Sequence, residues 1–71
     1  MEDICLKFGS KVKHYRELRE LSQEKLAELC ELHRTYISAV ERGKRSISLK
    51  NIEIMAAALN VEVHKLFIFD E

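Results

Sequence analysis

The stretch LSQEKLAELCELHRTYISAVERGKR, residues 21–45, governs the reading of the whole chain. Leu21 and Leu26 stand five positions apart around Ser22, and Leu32 and Ile37 repeat that spacing around His33. This is the arrangement of a hydrophobic staple, in which the residue before a helix cap packs on one in the helix's second turn. It predicts two short helices, at about 23–30 and 34–42, with an abrupt turn between them. On the second, Ile37 and Val40 face one way, which leaves Arg34, Thr35, Tyr36 and Ser38 on the other side. Arg42, Lys44 and Arg45 follow at once, grouped around Gly43.

The same spacing recurs downstream, in Ile47 with Ile52 around Ser48 and in Val61 with Leu66 around Glu62. Ser22 and Ser48 are good caps, because a hydroxyl accepts a bond from an orphan N–H of the first turn, whereas His33 and Glu62 are poor ones. Upstream, Ile4, Phe8, Val12 and Tyr15 fall on one helical face, with Lys7, Lys11, Lys13 and Glu17 turned to water. The expectation is all-α: one domain over residues 1–71 with five helices at about 4–19, 23–30, 34–42, 49–59 and 63–68. Gly43 and Asn60 are placed to leave helices 3 and 4 through left-handed backbone. Helix 4 is expected to bury Leu49, Ile52, Met55, Ala56 and Leu59. Proline is absent and glycine occurs twice, so strand-and-turn architectures find little support.

Composition narrows the class further. A chain of 71 residues buries only about 60% of its unfolded surface, so help from oligomerisation is expected. Net charge is zero, yet the residues from Lys7 to Lys50 hold eleven Lys/Arg against six Asp/Glu. The acidic excess sits outside that portion, in Glu2, Asp3, Glu53, Glu62, Asp70 and Glu71. Cys5 and Cys30 lack any metal-ligand spacing, so no metal or cofactor is expected and the thiols read as reduced, in a cytoplasmic protein. No apolar run reaches membrane length, and the first residues do not form a signal peptide. His14, His33 and His64 lie in separate segments with no nucleophile or paired carboxylates around them, which argues against an enzyme.

The chemistry of the central stretch then points to duplex DNA. A major-groove reader needs polar side chains at the N-terminal end of one helix, and Arg34, Thr35, Tyr36 and Ser38 occupy that position. Arginine grips guanine O6 and N7 as a fork, and a threonine methyl meets a thymine methyl. Gln23 and the free N–H groups of the second helix's first turn supply a phosphate site on one side. Lys44 and Arg45 supply another, with Ser46 as a further donor. The layout is a helix–turn–helix built from helices 2 and 3.

SQEKLAEL (22–29), RTYISAVERGKR (34–45) and SLKNIEIMAAALNV (48–61) together resemble the phage-repressor and Cro-type helix–turn–helix family, also called the xenobiotic-response-element family. The likeness runs from about Phe8 to Phe67 and implies a lambda-repressor-like fold. Within that family, HRTYISAVERGKRSISLKNIE (33–53) is most similar to the controller proteins of restriction–modification systems, small dimers that time endonuclease expression by binding its operator. The resemblance implies phosphate contact by Gln23, base and backbone contact by Arg34, Thr35 and Ser38, DNA contact by Tyr36, and an internal ion pair between Arg16 and Glu41. The chain departs from the family at Glu20 and Glu31, where glycine or asparagine is usual, at Glu62, where serine is usual, and at Leu18 and Leu29, where polar residues are usual.

One recognition helix contacts too few base pairs to single out a site in a genome, so a two-fold dimer is expected on a palindromic operator. Val63, Leu66, Phe67, Ile68 and Phe69 are too many apolar residues for one short helix to bury. Phe67, Ile68 and Phe69, with Ile54, are therefore the expected dimer interface, the alternative being that they complete the monomer's core. The partners implied are an operator duplex, a second copy of the chain (with two dimers on one operator) and RNA polymerase. Two other readings stay open: a general phage-type repressor, and an antitoxin or other protein-interaction module of the same fold.

Overall fold

The computed structural model of the chain describes residues 3–69. Four α-helices run in order: α1 Ile4–Leu18, α2 Gln23–Cys30, α3 Arg34–Glu41 and α4 Leu49–Leu59. They are followed by a 3₁₀ segment, Val63–Phe67. The expected fifth α-helix is thus corrected to a tighter turn. The segment closes on carbonyls three positions back, as the Lys65 N–H does on the Glu62 carbonyl at 3.0 Å, the tighter pattern that occurs in such short pieces. No strand occurs among the described residues.

Capping sets the boundaries. The Asp3 carboxylate accepts from the Cys5 N–H, the Ser22 hydroxyl from that of Lys25, and the Ser48 hydroxyl from that of Asn51. The four staple residues Leu21, Leu32, Ile47 and Val61 lie half-buried against the core, and Leu26, Ile37, Ile52 and Leu66 are buried within it. That core also takes Phe8, Val12, Val40, Met55, Ala56 and Leu59. Leu49 does not belong to it: the side chain is 85% exposed. It is the first residue of α4, three positions ahead of Ile52, the first of that helix to be buried, and Ile47 packs against the core before it. Ile4, at the start of α1, is exposed for the same reason.

Two features aim α3 relative to α1. Gly9 is buried at their crossing, where an added Cβ would come within 2.1 Å of the Val40 carbonyl oxygen. Only glycine permits so close an approach. At the far end of α3, Gly43 has φ +72°, and its missing Cβ would fall 2.7 Å from the Leu6 Cα. Glu20, Glu31 and Asn60 are left-handed too, at φ 58°, 57° and 58°. The departures at Glu20 and Glu31 therefore keep the turn geometry and carry its strain, which for a residue with a Cβ is about 1–2 kcal/mol. Leu18 and Leu29 are exposed.

Candidate nucleic-acid interface

Ile37 and Val40 are buried at 0% and 1% exposure, which fixes the rotation of α3. Arg34 and Thr35 are consequently exposed at the helix start, with Tyr36 and Ser38 half-buried beside them. His33 makes no side-chain cap bond, and its carbonyl accepts from the N–H groups of Tyr36 and Ile37. Lys44 and Arg45 are exposed in the loop that follows Gly43.

A buried ion pair lies directly behind this surface. Arg16 Nε donates to Glu41 Oε2 at 2.6 Å and Nη2 to Oε1 at 3.1 Å, while Nη1 donates to the Leu21 carbonyl at 2.8 Å. One guanidinium thus ties α1 to the α1–α2 turn and to the end of α3. Its hydrogen bonds to Glu41 outweigh the cost of burial and raise the Arg16 pKa above its ordinary value. Glu41 Oε1 also accepts from Gln23 Nε2 at 3.0 Å, and Gln23 Oε1 accepts from Arg34 Nη1 at 3.3 Å. Gln23 and Arg34, expected to meet phosphate and base, are therefore joined to each other and to the scaffold pair.

A second constellation involves Tyr36. The Arg45 guanidinium lies 5.0 Å from the centre of its ring, and its hydroxyl accepts from Asn51 Nδ2 at 3.2 Å. Asn51 was not singled out from the sequence, and a contact across fifteen positions leaves no local spacing to find. Arg42 and Arg19 each bind main-chain carbonyls. Arg42 Nε donates back to the Ser38 carbonyl at 3.3 Å. Arg19 caps α4, with Nε on the Leu59 carbonyl at 2.8 Å and Nη2 on that of Asn60 at 3.2 Å. Two arginines of the basic portion, Arg16 and Arg19, are thus committed to the scaffold. Arg19 lies forty positions from Leu59, so no local spacing signals its role.

Of the expected dimer residues, Phe67 and Phe69 lie together in a partly exposed apolar patch, while Ile54 packs against the core from α4. The ring of Phe67, 38% exposed, lies 5.2 Å from that of Phe8 and 6.2 Å from that of Phe69. Ile54, Ile68 and Phe69 are half-buried, and Lys7 Nζ sits over the Phe69 ring. Glu2, Asp70 and Glu71, part of the acidic excess, lie outside the described residues. Among the described residues no group of His, Cys, Asp and Glu could hold a metal ion, and no helix is long and apolar enough to cross a membrane.

Two short helices joined by a left-handed turn, the second presenting its polar N-terminal end beside a basic loop, define a DNA-binding transcription regulator, and the helix-turn-helix family profile matches residues 12–66. The chain belongs to that family. It is homologous to the controllers of restriction–modification systems. It is 52% identical over 68 residues to Control protein C.BamHI of Bacillus amyloliquefaciens, covering 94% of this chain and 84% of the relative. The crystal structure of the controller C.AhdI from Aeromonas hydrophila superposes with a TM-score of 0.87 at 46% identity, covering 89% of this chain and 96% of that one. The regulator SinR of Bacillus subtilis, solved in complex with DNA, superposes at 0.81 with 32% identity over 86% of this chain and 98% of its own.

Proposed function

We propose that the chain controls a restriction–modification system by binding a palindromic operator as a homodimer, each protomer laying α3 in a major groove. The observation that carries this reading is the placement of Arg34 and Thr35, exposed at the start of a helix whose rotation Ile37 and Val40 fix from within. In this reading Arg34, Thr35 and Ser38 meet base edges and nearby backbone. Gln23, Tyr36, Lys44 and Arg45 meet phosphates on either side of the groove. Phe67, Ile68, Phe69 and Ile54 cover one another across the two-fold axis. The exposed flank of Phe67 supports that role, as does an apolar hollow of about 250 Å³ beside it, bordered by Ile4, Phe8, Ile47 and Ile52. Two dimers share one operator, RNA polymerase is the further protein partner, and the protein acts in the cytoplasm, where Cys5 and Cys30 stay reduced.

Base reading and phosphate contact separate experimentally. Arg34→Ala is expected to weaken binding to the preferred duplex by about 1–3 kcal/mol and to relax preference at one base pair. Lys44→Ala is expected to weaken all duplexes alike and to reduce the slope of log K against log salt by about one. An unchanged sequence preference in the Arg34 variant would remove that residue from base reading.

A further inference from the structure

We propose that Asn51 is a positioning residue for DNA binding, one that holds the Tyr36 hydroxyl with its proton turned out toward a phosphate oxygen. The inference rests on the reading that α3 faces DNA, and it adds a residue of α4 to the surface that does so.

Asn51 Nδ2 lies 3.2 Å from Tyr36 Oη, so the phenol oxygen is the acceptor in that bond. A phenol has one proton to give, and this contact does not use it. DNA phosphate oxygens are acceptors only, which is the partner such a hydroxyl suits. Asn51 is itself anchored, because its backbone N–H donates to the Ser48 hydroxyl at 3.1 Å in the first turn of α4. The ring is steadied from another direction by the Arg45 guanidinium, 5.0 Å from its centre. Beside it opens a hollow of about 430 Å³, bordered by Glu31, His33, Thr35, Tyr36 and Arg45. Tyr36 is thus held from α4 and from the loop after α3, and the two contacts set both its ring plane and the sense of its hydroxyl. Alanine at position 51 keeps the backbone N–H that Ser48 caps, so the start of α4 survives the substitution.

The test measures binding of Tyr36→Phe, Asn51→Ala, the double variant and Asn51→Asp to the duplex that the wild-type protein enriches from random sequence. Salt is varied, and thermal unfolding of each variant is followed alongside. Tyr36→Phe and Asn51→Ala are each expected to weaken binding about tenfold, the scale of one hydrogen bond to a charged group. The double variant should bind no more weakly than Tyr36→Phe. The salt slope should stay at the wild-type value, because a hydroxyl displaces no counterion. Asn51→Asp should be worse than Asn51→Ala, since a carboxylate accepts the hydroxyl's proton and adds a negative charge beside the phosphates. Wild-type binding by Asn51→Ala alongside a weakened Tyr36→Phe would overturn the role of Asn51 alone. Effects that add in the double variant would also overturn it, by making Asn51 an independent contact. Wild-type binding by Tyr36→Phe would overturn the proposal together with the Tyr36 contact beneath it, whereas the Arg34 result tests the recognition helix separately.

Discussion

Arg16 is the residue at which the scaffold and the proposed DNA-facing surface join. Its guanidinium holds Glu41 by two hydrogen bonds, and Glu41 in turn holds Gln23, which accepts from Arg34. Removing one partner of a buried pair leaves the other charge uncompensated, at a cost of about 3–5 kcal/mol. Glu41→Ala is expected to lose that much stability in denaturant unfolding. Gln23→Ala deletes only the outer link and is expected to change stability by less than about 1 kcal/mol while weakening DNA binding several-fold. Equal losses of stability in the two variants would contradict this division of roles. The thiols offer a separate check. Burial pushes the Cys30 thiol pKa up, which keeps it protonated at neutral pH. Alkylation of Cys30 should therefore wait for unfolding, and its stabilising neutral form should begin to lose its advantage only as pH rises above the ordinary thiol range. Rapid labelling of Cys30 in the folded protein at neutral pH would show the site to be open.

At the scale of elements, the helix starts were legible because they are written locally. An apolar residue, a cap and a second apolar residue five positions on mark Gln23, Arg34, Leu49 and Val63, and each is the first residue of its segment. What was not legible depends on the neighbours rather than on spacing. Leu49 obeys the period of α4 but projects beyond the core, and the α1–α3 approach that requires Gly9 involves residues more than thirty positions away. Asn51 escaped for the same reason as Gly9, while Arg34 and Thr35 could be placed on the exposed side from the period of α3 alone. Gly9→Ala gains helix propensity yet forces a Cβ into the Val40 carbonyl, so a net loss of about 1–3 kcal/mol is expected. A gain in melting temperature would show that the crossing can open without cost. Glu31→Gly, by contrast, relieves a left-handed backbone and is expected to raise stability by about 0.5–1 kcal/mol, net of the unfolded-state entropy of glycine.

At the scale of the whole molecule, a chain without net charge still presents a basic loop and helix end, because part of its acid sits elsewhere in the sequence and Glu41 is buried against Arg16. Its apolar excess collects at the end of the chain, where Phe67 lies between Phe8 and Phe69 with one flank exposed. Replacing Phe67 and Phe69 with serine is expected to give monomers by sedimentation at micromolar concentration, with helicity checked by circular dichroism. Folded dimers persisting in that variant would place the interface elsewhere. In the proposed function two copies of α3, related by two-fold symmetry, read one stretch of duplex. Selection of bound sequences from random duplex DNA tests it most directly. The predicted result is an inverted repeat whose half-sites are separated by roughly one helical turn, about 34 Å. Enrichment of a single unrepeated motif, or of no motif at all, would contradict it.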